Sequence, residues 1–207
     1  MADAKSGQKD ECDFYKAICT IRGKDHKTKG IACAVNIHGK ENEEEVLLVT
    51  WKGCIGDGRN SVETVHRYWS KSKLRISKKN SEDYQLKPLD DGILNRGDFS
   101  LIRCALGDNK KGKKKWGVRL PIKYLKKEQQ RGDLLAYTIR DDSYLLLNLK
   151  YDKRAERHIL DIEEDLRANL ILQGAPIIEG EEYFVGVLVE DEEGKVSPLF
   201  TTEGIFG

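Results

Sequence analysis

The chain has 207 residues, of which 39% are hydrophobic and 34% charged, and its formal net charge is +1. This length suffices for one sizeable domain or for two small domains that share an interface. The longest apolar runs, such as YFVGVLV, are too short to span a bilayer, and the first twelve residues lack the apolar stretch of a signal peptide. Membrane insertion and secretion are therefore not expected.

The five cysteines are scattered along the chain without a CxxC pair. They are Cys12, Cys19, Cys33, Cys54 and Cys104. An odd, dispersed set favours free thiols in a reducing compartment over a disulfide framework. We expect a cytoplasmic or nuclear location.

In chain order, a polar segment at residues 1–12 is predicted to be a flexible tail. Short apolar runs follow, rich in Val, Ile, Tyr and Phe and separated by clusters of Gly, Asp, Asn and Lys. This spacing predicts an all-β barrel or sandwich with few short helices, and only residues 61–72 and 151–166 carry a weak helical pattern. A lysine-rich linker at 109–116 separates a first β-barrel, 13–108, from a second, 117–207.

Charge is strongly segregated along the chain. Residues 107–127 contain nine Lys or Arg against one acid, whereas residues 160–193 contain eleven acids against Arg167. Such segregation steers charged partners, and it also allows a homo-oligomer in which acidic and basic segments of different copies meet.

The lysine run has two interpretations that the sequence leaves open. It consists of Lys110, Lys111, Lys113, Lys114 and Lys115, with Trp116 and Tyr124 nearby. Lysines can contact phosphates while aromatic rings stack on bases, which would give nucleic-acid or polyanion binding by segment 110–127. Lysines also solvate linkers and protect strand edges from self-pairing.

Three stretches resemble, in the same order, three motifs of the trypsin-like serine proteases, particularly the intracellular high-temperature-requirement branch. They are GIACAVNIHGKENEEEVLLVTWKGC at 30–54, GDFSLIRCAL at 97–106 and ILQGAPIIEGEEYFVGVLVEDEEG at 171–194. They are similar to the strand ending in Thr-Ala-Ala-His, the Asp-Ile-Ala-Leu-Leu strand and the Gly-Asp-Ser-Gly-Gly-Pro turn of that family. The resemblance covers residues 13–207 and implies two six-stranded antiparallel β-barrels with a cleft between them.

The resemblance places the catalytic triad on residues of which only one is retained. Because Thr50 matches the family's threonine, the catalytic histidine falls at Gly53, and the triad aspartate falls at Asp98. The nucleophile position is Gln173, before a matching Gly174. Glycine cannot accept a proton and a glutamine amide is not a nucleophile, so the resemblance implies an inactive pseudoprotease.

The oxyanion turn and the cleft are expected to differ as well. The family has a glycine two residues before the nucleophile, whereas this chain has Ile171, which predicts a collapsed or repurposed oxyanion hole. Trp51 either plugs the cleft, anchors a ligand or packs into the core, and Gln173 is a further candidate contact. The resulting hypothesis is a module that binds a protein or peptide; the alternative is a polyanion-binding β-domain.

Cys54 is the remaining candidate nucleophile, because it lies beside the vacant histidine position. A dyad with His38 or His66 would need a lowered thiol pKa, and a buried structural cysteine is the competing interpretation. The histidines, including His26 and His158, lack metal-ligand spacing. We expect neither a metal nor a cofactor.

Overall fold

The computed structural model describes the following residues of the chain. The ranges are 14–23, 27–37, 44–55, 64–67, 84–106, 108–109, 112–113, 118–140, 143–163, 167 and 170–206. Strands dominate these ranges, beside 3-10 helices at Phe14–Ala17 and Lys52–Cys54 and a short α-helix, α1, at Lys127–Gln130. The all-β prediction is confirmed. No described helix has the length and apolar character needed to cross a membrane.

The first sheet is built from the amino-terminal half of the chain. Its strands are β1 (Ile18–Arg22), β2 (Thr28–Asn36), β3 (Glu45–Trp51), β4 (Thr64–Arg67), β5 (Tyr84–Leu86), β6 (Pro88–Arg96) and β7 (Phe99–Ala105), in the order β5-β4-β1-β2-β3-β7-β6. Only Lys87 separates β5 from β6, and β5 pairs with β4 while β6 pairs with β7. This one stretch therefore closes a ring of six antiparallel strands.

The second sheet has six antiparallel strands in the order β13-β12-β11-β14-β15-β16. They are β11 (Leu134–Arg140), β12 (Ser143–Asp152), β13 (Arg157–Asp161), β14 (Pro176–Glu179), β15 (Tyr183–Glu190) and β16 (Val196–Phe200). The rings of His158 on β13 and Phe200 on β16 lie 6.4 Å apart, so the two edge strands approach each other. The prediction of two six-stranded antiparallel units is confirmed.

The segment between the sheets contacts both of them. The short strands β8 (Asp108–Asn109) and β9 (Gly112–Lys113) pair where the predicted linker begins. The next strand, β10 (Leu120–Pro121), pairs in parallel with β2, and Ile122 bridges to Phe184 of β15. Residues 120–122 thus tie the predicted second unit to the first.

Alternating apolar residues explain why the strands bury one face. Along β3, Val46 and Leu48 point into the core, where they are fully buried. On β15, Phe184 to Leu188 are all buried, because both faces of that strand are covered. Cys19, Cys33, Cys54 and Cys104 are buried free thiols, and Cys12 lies outside the described residues.

Both weak helical patterns are wrong where the structure describes them. Thr64–Arg67 is β4, and residues 151–161 are a strand, a turn and a strand. Tyr151 pairs with His158 across the hairpin, and the Asp152 carboxylate accepts the N–H groups of Arg154 and Ala155 in the turn. Cross-strand pairing and this aspartate turn override the helical spacing.

Candidate functional site

The three stretches that carry the family resemblance are linked by hydrogen bonds at the boundary of the two sheets. The N–H of Lys52, after β3, donates to the carbonyl of Asp98 at 2.8 Å. The N–H of Ile31 on β2 donates to the carbonyl of Gln173 at 2.9 Å, and the Thr50 hydroxyl donates to the carbonyl of Ile31 at 2.7 Å. We call this meeting point of residues 30–31, 50–54, 98 and 173–175 the junction.

Trp51 and Gly53 form one packing unit at the junction. Trp51 is half-buried, and Gly53 is exposed in the 3-10 helix that follows β3. A Cβ atom added at Gly53 would lie 2.1 Å from the indole carbons Cη2 and Cζ3 of Trp51. The indole therefore fills the space into which a side chain at position 53 would begin to project.

Asp98 lies at the tip of a tight hairpin. Arg96 of β6 pairs with Phe99 of β7, so Gly97 and Asp98 form the two-residue turn, with Gly97 at φ +60°. Asp98 is exposed, and its carboxylate forms no hydrogen bond or ion pair within the part of the chain that the structure describes. Only its backbone carbonyl contributes to the junction, by accepting the Lys52 N–H.

The side chain of Gln173 is held by the backbone of β15. Its Nε2 donates to the carbonyl of Glu190 at 2.6 Å, and its Oε1 accepts the N–H of Glu190 at 3.2 Å. Just before this point, Leu188 exchanges backbone hydrogen bonds with Gly174 and Ala175. Gln173 thus continues the pairing along this edge of β15 as a short strand would.

The turn after Gln173 places a glycine where no side chain fits. Gly174 has φ +75°, and a Cβ atom there would lie 2.3 Å from the Ile31 carbonyl oxygen and 2.4 Å from Thr50 Oγ1. Ile171 is not among the residues with positive φ, and its carbonyl accepts a hydrogen bond from the Thr138 hydroxyl. The left-handed position of this turn is therefore Gly174, after Gln173.

Cys54 is buried in the junction with only 4% of its surface exposed. Its sulfur packs so closely on Gly30 that an added Cβ atom would lie 2.3 Å from Sγ. Burial raises the pKa of the Cys54 thiol to about 11, and hydrogen bonds from Thr50 and the Trp51 backbone offset this only in part. These surroundings favour the neutral thiol over the thiolate that nucleophilic chemistry requires.

The buried thiol gives a testable dependence of stability on pH. Because folding raises the pKa of Cys54 from 9.0 to about 11, its stabilising contribution is complete below pH 9 and is lost as the pH rises towards 11. We expect Cys54→Ala to reduce the loss of unfolding free energy in this window by about 1.4 kcal/mol per pH unit. Urea unfolding at several pH values measures this change of unfolding free energy per pH unit. Val49→Ala, which removes buried volume without a titrating group, should keep the wild-type slope.

Other predicted candidates are placed apart from the junction or beyond the described residues. Lys110, Lys111, Lys114, Lys115, Trp116 and His38 lie outside the described residues, whereas Lys113 is in β9 and His66 in β4. No cluster of three His, Cys, Asp or Glu side chains suited to a metal occurs among the residues that are described. Tyr124 is exposed between β10 and α1.

The sequence did not predict two contacts at the junction. Gly30 packs on Cys54, and Glu190 holds the amide of Gln173. The sequence contains one local signal for a different contact at the junction. Gly53 lies two residues after Trp51, and a small residue often accommodates a large ring. Gln173 and Glu190 are 17 residues apart, and no local sequence pattern predicts their contact.

No protein-family model matches the sequence, and the comparison with curated proteins finds no match. Solved structures do match. The serine protease of a human pathogenic astrovirus is 12% identical with a TM-score of 0.53, over 93% of this chain and 94% of that chain.

Two further structures agree in fold. An inactivated protease paralogue of the scabies mite is 10% identical with a TM-score of 0.54, over 91% of this chain and 88% of its own. A Glu endopeptidase is 12% identical with a TM-score of 0.53, over 91% and 86%. At these identities the comparisons establish the fold, which is trypsin-like.

Proposed function

We propose that this chain is a catalytically inactive trypsin-like domain, an intracellular pseudoprotease that acts as an interaction or scaffold module by binding a protein or peptide at the junction. The observation that carries the proposal is the Trp51 indole lying against Gly53. In the family that the sequence resembles, an imidazole at this position takes the proton of the nucleophile. A side chain could stand at position 53 only if the indole moved.

The other groups at the junction support the same conclusion. An amide at Gln173 is neither nucleophilic nor basic near neutral pH, and both of its polar ends already bind Glu190. Asp98 is exposed in a turn, away from the buried position that orients a catalytic imidazole. Cys54 is buried as a neutral thiol, so the relocated-nucleophile alternative lacks an accessible thiolate.

Reintroducing the missing groups should not restore proteolysis. We expect Gly53→His with Gln173→Ser to give no peptide turnover above buffer, because Trp51 blocks position 53 and Ile171 stands where the family's oxyanion turn has glycine. The comparison is the quadruple variant that also carries Trp51→Ala and Ile171→Gly, because it lacks both obstacles. A quenched-fluorescence peptide assay measures the turnover of both variants. Robust turnover by the double variant alone would contradict this interpretation of the turn.

A bound peptide would interact with the same edge of β15 that Gln173 now covers. An extended peptide gains affinity by pairing with free backbone groups of a strand, and Gln173 occupies those of Glu190. A peptide strand that adds there therefore replaces two hydrogen bonds of Gln173. The half-buried indole of Trp51 offers an adjacent aromatic anchor.

Photo-crosslinking distinguishes binding from cleavage. A photoreactive amino acid at exposed Lys52, beside Trp51, should form crosslinks to bound polypeptides. Mass spectrometry should show that each captured polypeptide is uncut across the crosslinked segment. The same group at exposed Lys153, in the β12–β13 turn, is the matched control. Captured chains that end at a common newly cut bond would contradict the proposal, and so would equal capture at both positions.

The second candidate function is polyanion binding through segment 110–127, which the excess of nine Lys or Arg over one acid in residues 107–127 favours. Neutralising the five lysines from 110 to 115 should then abolish salt-dependent binding of unspecific single-stranded nucleic acid. Absence of such binding by the wild type at low salt removes this candidate.

A further inference from the structure

A groove of about 490 Å³ lies on the second sheet, between α1, the β12–β13 hairpin and β16. Four cationic side chains line it from separate elements: Lys127 of α1, Arg131 just after it, Arg157 at the start of β13, and Lys195 just before β16. All four residues are exposed. We call this feature the basic groove, and its volume falls within the range of small-molecule sites.

The four cations have no anionic partner in the described part of the chain. None of them takes part in an ion pair there, and the only carboxylate that lines the groove is that of Glu156. The carboxylates of Asp133, Asp152 and Asp191 instead accept backbone N–H groups of their own neighbourhood. The groove therefore keeps an excess of positive charge that an incoming anion can neutralise.

The walls of the groove are fixed to one another beneath the cations. His158, which is 8% exposed, donates from Nε2 to the Gly132 carbonyl at 2.9 Å. The N–H of Tyr151 donates to Asp133 Oδ1 at 3.0 Å, and the ring of His158 contacts that of Phe200. The backbone that carries the cations therefore needs little ordering when a ligand binds, which favours affinity.

We propose that the basic groove binds a small anion carrying several phosphate groups. The guanidinium groups of Arg131 and Arg157 suit bidentate contacts with phosphate oxygens, and the two lysines add point charges from other directions. On the side of Lys195 the groove does not continue as a basic path, because Asp191, Glu192 and Glu193 are exposed at the hairpin tip before Lys195. These carboxylates repel a long polyanion but leave room for a compact one.

Calorimetry with inorganic tripolyphosphate at low ionic strength tests this proposal. We expect saturable binding at one site, about tenfold tighter than that of orthophosphate, and weakened by added salt. The double variant Arg131→Ala with Arg157→Ala should weaken it by about tenfold or more. Lys153→Ala with Arg154→Ala removes the same charge from the adjacent exposed turn outside the groove and should change the affinity less than about twofold.

Three results would overturn the proposal: no saturable tripolyphosphate binding at millimolar concentration, equal weakening by the two double variants, or binding of a single-stranded oligonucleotide without binding of tripolyphosphate. Circular dichroism and thermal unfolding verify that each variant is folded. If the groove is the binding site, neutralising the lysines from 110 to 115 leaves tripolyphosphate binding intact. That variant therefore separates binding in the groove from binding by the lysine run.

Discussion

Replacing Gly174 with alanine should destabilise the protein by about 2–5 kcal/mol, the sum of left-handed backbone strain and overpacking. Gly174 has φ +75°, and its added Cβ atom would meet the Ile31 carbonyl oxygen at 2.3 Å. That oxygen cannot easily move, because it accepts the Thr50 hydroxyl while the Ile31 N–H donates to Gln173. A loss of this size is a large part of the total stability of an ordinary domain.

Gly180→Ala is the matched control for this measurement. Gly180 also has positive φ, +59°, but nothing lies within 4 Å of its added Cβ atom. Its substitution should therefore show backbone strain alone, about 1–2 kcal/mol. Urea unfolding of both variants gives the difference, and equal losses would show that the junction is looser than the contacts at Gly174 indicate.

The second large effect is a strong coupling between positions 51 and 53. Gly53→Ala forces the Trp51 ring from its place, because the new Cβ atom would lie 2.1 Å from it, and we expect a loss of about 1–3 kcal/mol. Once Trp51→Ala has removed the ring, the same change should cost almost nothing. The double variant should therefore be about as stable as Trp51→Ala alone, with a coupling of about 1–3 kcal/mol.

Gly132→Ala is the control for this double-mutant cycle of positions 51 and 53. Gly132 is remote from Trp51 in sequence, and its added Cβ atom would meet only the Gln129 carbonyl, at 3.3 Å. Combined with Trp51→Ala, its effect on unfolding free energy should be additive. If the effects of Trp51→Ala and Gly53→Ala on unfolding free energy are additive as well, the indole does not occupy the space over Gly53. The proposal of an inactive site would then lose its main support.

The strands were largely predictable because their signal is local. Runs such as EVLLVTW and EYFVGVLV carry the β-branched, apolar pattern of buried strands and form β3 and β15. Other apolar stretches do not form strands. Phe14–Ala17 is a 3-10 helix, and Phe14 packs on Tyr137 with ring centroids 4.8 Å apart. Residues 170–173 are also apolar in large part, but they lead into the Gly174 turn.

The junction was predictable only in outline. The resemblance predicts that residues near 53, 98 and 173 belong to one site, and hydrogen bonds link their segments. The position of the Trp51 indole and the bonds from Gln173 to Glu190 depend on side-chain conformations and long-range contacts, which composition and periodicity do not encode. The basic groove could not be predicted for the same reason, because Arg157 and Lys195 are far in sequence from each other and from the pair Lys127 and Arg131.

The most direct test of the inactive site is to incubate the wild-type protein with a fluorophosphonate, a thiol-reactive peptide electrophile and a mixture of quenched peptides. Intact mass spectrometry then reports adducts, and fluorescence reports turnover. We expect no adduct at any junction residue and no cleavage above buffer, because Gly53, Gln173 and buried Cys54 supply neither base nor nucleophile. Turnover that is abolished by substituting the labelled residue, Cys54→Ala included, would contradict it.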